Sequence, residues 1–175
     1  ALSKEVAEPL TIAQEDASIA LLCFHPNSKR LLLLEKSNVG SENEQYAIQT
    51  LRFGSQKLSE TPLFQFDQAG IVSFIQQSQD LTQDEVFSFV PVSMAVHPQT
   101  NELYILSSTG SILTLDQQGN LLSYQKIDLQ QISQPRVLSF DQNGDLLLAD
   151  GSVLHPVILK VKWQKKLSEK GALVK

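Results

Sequence analysis

Three histidines are the first residues in this chain that could do chemistry: His25, His97 and His155, each followed by proline. Metal binding would need such ligands to converge within ~2–2.2 Å of one ion. Two of them instead occupy corresponding polar turns, His25-Pro26-Asn27 and His97-Pro98-Gln99, one repeat apart, and read as turn residues. Asp141-Gln142-Asn143-Gly144-Asp145 has the outline of a calcium loop, but an EF-hand loop needs its glycine sixth and a glutamate twelfth. Here the glycine is fourth and the twelfth position is Ser152, so this segment is also a strand-joining turn. Cys23 sits inside an apolar run, without the electropositive, accessible surroundings that make a thiolate. Glu42 and Glu44 share a polar loop, 37–45, and a solvated loop does not drive two carboxyl pKa values apart as acid–base catalysis requires. There is no Gly-x-Ser-x-Gly elbow, phosphate-cradling glycine loop or cysteine pair. We therefore expect no catalytic residue, no metal site and no cofactor.

The totals narrow the class further. The chain has 175 residues, 42% hydrophobic and 19% charged, which is the composition of one folded domain. A net charge of −5 argues against nucleic acid as a partner. One cysteine excludes an internal disulfide. The apolar stretches Ile19–Phe24 and Leu31–Leu34 fall far short of the ~20 residues that span a bilayer, so no membrane span is expected. No leader pattern opens the chain at Ala1, which says nothing about export. The tail from Lys160 to Lys175 carries six lysines against one glutamate. It could meet anionic lipid or an acidic partner, but Lys160 and Lys162 read better as the solvent face of a strand beside Trp163.

The turns recur between strands. Ser18–His25, Ser93–Val96 and Val137–Phe140 each run into a polar turn, and each turn is followed by a second apolar run: Arg30–Leu34, Glu102–Leu106 and Asp145–Ala149. Strand, short polar turn, strand is a hairpin signature. Third and fourth strands are expected at Tyr46–Phe53 and Leu63–Phe66, then at Ile112–Leu115 and Leu121–Ile127. In the last unit Val157–Trp163 is the third strand, and a fourth would have to come from Leu167–Val174. The units lie at about 17–67, 88–130 and 133–174 of a single domain, 1–175. Pro26 to Pro98 is 72 residues and Pro98 to Gln142 is 44. A four-stranded blade takes ~40–50 residues, so the first interval holds an insert, at 68–87. Ile71, Phe74 and Ile75 stand at helical spacing there, compatible with one short helix or an irregular loop, and Gln76–Glu85 reads as a surface connection. The fold class is all-β, built of β-propeller-type four-stranded antiparallel meanders, about three blades. Sequential meanders with matching starts favour a propeller over a sandwich.

Phe89 to Ser108, Gly119-Asn120-Leu121, and Gln134-Pro135 through Asp141-Gln142-Asn143-Gly144-Asp145-Leu146 resemble the SdiA-regulated family of bacterial β-propellers, which is akin to NHL-type propellers. The likeness runs from about Ile19 to Trp163. It implies a periplasmic or exported envelope location. First strands of such blades often open with Pro-Glu-Gly, placing a carboxylate near the central channel. The matching positions here are Ala20-Leu21, Val92-Ser93 and Arg136-Val137, with no glutamate and one reversed charge. A six-bladed ring needs roughly 250–300 residues. Three units therefore belong to a longer protein, close with a partner copy, or stack in an open form.

The expected function is a non-catalytic propeller-type interaction or structural module. Its partner would be another protein or a second copy of itself. Arg136, Asp150 and Ser93 are the candidate binding residues, at a rim or channel. The alternative is a metal-dependent hydrolase or lactonase-type propeller, which would need channel carboxylates that the strand openings lack.

Overall fold

The computed structural model describes residues 18–38, 44–52, 58–79, 89–152 and 156–162. Apolar residues alternate with polar ones, or run continuously where both faces are covered, and Gly, Asn, Asp and Pro punctuate them. That pattern yields three antiparallel sheets in chain order. The first is β1 (Ser18–His25), β2 (Arg30–Ser37), β3 (Gln45–Arg52) and β4 (Phe64–Asp67). Helix α1 (Gln68–Gln79) follows. The second sheet is β5 (Pro91–Val96), β6 (Leu103–Ser107), β7 (Ser111–Leu115) and β8 (Leu121–Lys126). The third has three described strands, β9 (Pro135–Phe140), β10 (Leu146–Asp150) and β11 (Ile158–Val161). Within each sheet every strand pairs with its sequence neighbour. The three sheets are propeller-like units, and the described residues do not close them into a ring.

Several expectations shift. The third strand of the first unit begins at Gln45 and its fourth ends at Asp67. The insert begins as a helix, and the helix reaches Gln79, so 76–79 is helical and not surface connection. Asp67 starts it by accepting the Gly70 amide at 2.6 Å, which satisfies one of the orphan donors of the first turn. Ile71 and Ile75 are buried and hold the helix to the core; α1 packs beside β4 and β8, the outer strands of two units. The remainder of the insert, 80–87, and the expected fourth strand at Leu167–Val174 lie outside the described residues.

The sheets meet through their first strands, β1 against β5 and β5 against β9. Because side chains alternate along a strand, the middle unit sorts its apolar residues to two sides. Met94, Leu103, Ile105, Leu113 and Leu115 pack with Leu32, Leu34, Tyr46 and Ile48 of the first unit. Leu106 and Ile112 pack with Leu138 and Leu148 of the third, closed by Ile132. Fully burying such a side chain stabilises by about 1.5–3 kcal/mol, so these two layers set the spacing of the units.

Candidate functional site

All three first strands carry a β-bulge at the same place. Ile19 pairs with Glu35 but Leu21 with Leu34, which leaves Ala20 extra. Val92 is extra between Pro91 and Ser93, and Arg136 between Pro135 and Val137. A bulge bends its strand and re-aims the local side chains. The three strand openings thus share a common backbone irregularity. Ala20 and Arg136 are exposed, whereas Val92 packs into the layer between the second and third units.

The opposite ends of the first strands run into the turns, and there the units are tied together. Asn27 Nδ2 donates to Asn101 Oδ1 at 2.5 Å, linking the first turn to the second. Gln99 Nε2 donates to the Asn143 carbonyl at 3.1 Å, linking the second to the third. The two His-Pro turns share one design. The Lys29 amide donates to the His25 carbonyl at 2.9 Å and the Asn101 amide to the His97 carbonyl at 3.0 Å. Lys29 and Asn101 both adopt positive φ, 51° and 60°. His97 Nδ1 accepts the Gln99 and Thr100 amides at 3.3 and 3.2 Å. In the third turn Asp141 Oδ1 does the equivalent work, accepting the Asn143 and Asp145 amides at 2.8 and 3.0 Å. Imidazole nitrogen and carboxylate oxygen are interchangeable here because each offers an acceptor to a tightening backbone.

The chemistry available to these groups is spent on structure. His97 is fully buried, edge-on to Phe140 with ring centroids 4.9 Å apart. Burial lowers its pKa, opposed by the charge of Glu102 and by the Gly144 backbone. Burial also lowers the pKa of half-buried His25, with the Arg30 charge pushing the same way. Tyr104 is pushed up to about 12, first by burial and then by Glu102, whose carboxylate accepts its hydroxyl at 3.3 Å. Lys160 bridges Asp141 at 2.6 Å and Asp145 at 3.0 Å. Its hydrogen bond holds Asp141 below the usual carboxylate range. The lysine expected on a solvent face thus clamps the third turn. Cys23 is pushed up to about 12 by burial, which leaves a neutral thiol.

The turns border two depressions. A shallow groove of about 390 Å³ crosses the ends of β1, β5 and β9, lined by residues including Phe24, Pro26, Pro98, Ser139 and Gln142. A smaller one of about 170 Å³ lies between the first two units, beside His25, Arg30 and Asp116. The Asp116 carboxylate is engaged by the Gln118 and Asn120 amides, each at 2.8 Å.

The three candidate binding residues all lie toward the bulge end. Ser93 Oγ accepts the Leu138 amide at 3.0 Å and so joins β5 to β9. Asp150 gathers the Ser133 amide and hydroxyl at 3.0 and 3.1 Å, the Gln134 amide at 3.3 Å and the Ser152 amide at 2.7 Å. Burial raises the pKa of Asp150, but these donors prevail and lower it. Arg136 is exposed, its stem lying over Gly151. Glu44 pairs with Lys36 at 3.3 Å. His155, Glu42 and Trp163 lie outside the described residues. Among the described residues, no three of His, Cys, Asp and Glu come together as a metal site. No helix among them is long and apolar enough to cross a membrane.

Sequence reasoning missed the bulges and both turn-to-turn bonds. The signal for the latter was present, since Asn27, Gln99, Asn101 and Asn143 all fall in the turns, but their pairing depends on how the units are placed.

No family model and no curated protein matches the chain. Solved structures do. A glucose dehydrogenase aligns with a TM-score of 0.48 at 14% identity, over 84% of this chain and 41% of that one. A protein of unknown function from Bacteroides caccae aligns with a TM-score of 0.48 at 15% identity, over 84% and 43%. The major Malassezia sympodialis allergen Mala s 1 aligns with a TM-score of 0.52 at 14% identity, over 77% and 43%. The chain thus spans less than half the length of these three proteins. At such identities the likeness is one of fold, and the alignment at a TM-score of 0.52 agrees with the propeller-like arrangement of successive antiparallel sheets.

Proposed function

We propose that this chain is a non-catalytic interaction module of the bacterial envelope, binding another protein on the rim formed by the first turns of its three units. The observation that carries the reading is the bonded row of turns, Asn27 to Asn101 and Gln99 to Asn143. It holds three loops from three sheets as one surface, and a rigid, pre-ordered surface loses little entropy on binding. Ser28, Lys29, Gln99 and Gln142 display exposed side chains along it. The groups nearby that would serve catalysis are instead held in turns or ion pairs. The resemblance of Phe89 to Ser108 to SdiA-regulated propellers supports the envelope location. Of the three binding candidates, Arg136 has its side chain in solvent and belongs to the far end.

The test is capture from a bacterial envelope extract on immobilised chain, with chemical crosslinking. A Ser28→Glu and Gln142→Glu double variant should lose at least tenfold of the captured partner, while Arg136→Glu keeps it. Equal capture by the native chain and the rim variant would refute the rim as the binding surface.

A further inference from the structure

Arg30 of β2 is half-buried and borders the depression of about 170 Å³ between the first two units. Among the described residues, no carboxylate pairs with its guanidinium and no side chain accepts a hydrogen bond from it. A guanidinium drawn out of water calls for an anionic partner, because desolvation without pairing is costly. His25, opposite Arg30 across β1 and β2, borders the same depression and adds a donor. Its Nδ1 accepts the Ser28 amide at 3.4 Å, which places the proton of the neutral ring on Nε2.

The second unit contributes the opposite charge. Asp116 also borders the depression, yet it forms no ion pair with Arg30. The bonds of its turn hold its carboxyl below the usual carboxylate range, that of the Asn120 side chain first among them. Oδ1 accepts the Gln118 and Asn120 amides, and Oδ2 accepts Asn120 Nδ2, each at 2.8 Å. A carboxylate oxygen takes two donors, so Oδ2 keeps a place for another. Leu32, Val96, Leu103 and Phe64 supply an apolar lining. An alanine Cβ at Gly119 would lie 2.5 Å from Phe64 Cβ, so the Asp116 turn is pressed onto β4 and the depression is preformed.

We infer that this seam binds a small zwitterion, a free α-amino acid with a short apolar side chain, its carboxylate held by Arg30 and His25 and its ammonium by Asp116. The two charges select for a ligand that carries both. A plain anion meets the charge of Asp116, and a plain amine meets that of Arg30. The size agrees: a cavity of ~150 Å³ admits benzene, so about 170 Å³ suits an amino acid such as valine. The inference goes beyond the rim reading and does not depend on a protein partner.

Isothermal titration calorimetry at neutral pH and low salt tests it, with L-valine, isovalerate, which lacks the ammonium, and isobutylamine, which lacks the carboxylate. The native chain should bind one valine with a Kd of about 1 mM or tighter, and each analogue at least tenfold more weakly. Arg30→Gln and Asp116→Asn, made singly, should keep the native far-ultraviolet circular dichroism, since asparagine still accepts the turn amides. Arg30→Gln should weaken valine at least tenfold, to the level of isobutylamine. Asp116→Asn should weaken it to the level of isovalerate. The inference is overturned if valine gives no saturable heat up to roughly 10 mM on the native chain, or if either analogue binds as tightly as valine. It is equally overturned if either folded variant keeps the native affinity. The analogue comparison needs only the native chain, so it decides the matter even where a variant fails to fold.

Discussion

Replacing Gly144 by alanine tests whether the third turn is locked onto His97. Gly144 has φ +84°, where an L-residue costs roughly 1–2 kcal/mol. An alanine Cβ there would lie 2.8 Å from His97 Nε2 and 2.9 Å from its Cε1, inside van der Waals contact. The ring has little room to yield. It is fully buried, it stands edge-on to Phe140, and its Nδ1 is held by two amides. Overpacking of this kind costs about 1–3 kcal/mol, for a sum of roughly 2–5 kcal/mol. A domain stable by ~5–15 kcal/mol should survive it. Urea unfolding at fixed protein concentration, followed by far-ultraviolet circular dichroism, gives the cost from the midpoint at unchanged slope. The control is His97→Asn. Asparagine can still accept the turn amides, as Asp141 does in the third unit, but it has no ring edge for the Cβ to strike. In that background Gly144→Ala should cost only the backbone share, ~1–2 kcal/mol. The difference is a coupling of about 1–3 kcal/mol. A cost below ~1 kcal/mol in the native chain, or the same cost in both backgrounds, would refute the steric account.

Three further outcomes are expected. His97 and His25 both have folded pKa values below 6.5, so the unfolded chain binds more protons. Stability should be complete above that pH and fall as pH drops below it, with His97→Asn flattening the dependence of melting temperature between pH 5 and 7, at roughly the ordinary histidine range. Ile105, fully buried between the first two units, should cost ~2–5 kcal/mol as alanine, read as a lowered urea midpoint. With its thiol pushed to about 12, Cys23 should resist iodoacetamide at mildly alkaline pH in the native chain and react at once in denaturant; fast native labelling would contradict the burial.

The strands were legible because their causes are local. Alternating apolar residues, prolines after His25 and His97, and Asn143-Gly144 specify hairpins from within a dozen residues. The helix after Asp67 was half legible, since Ile71 and Ile75 showed its period while its extent depended on packing against β4 and β8. The expectation that His25, His97 and Asp141 serve turns also needed only neighbouring residues.

What Ser93, Asp150 and Lys160 do was not readable in that way. The carboxylate of Asp150 is claimed by Ser133 and Gln134, the hydroxyl of Ser93 by a strand 45 residues on, and the amine of Lys160 by Asp141 and Asp145. The sequence alone determined where the chain extends and where it turns, because torsional preference and side-chain alternation act over a few residues. Only the tertiary structure decided which face of each sheet meets a neighbour and which polar groups are spent holding it, because those choices rest on partners far apart along the chain that packing brings within hydrogen-bond reach.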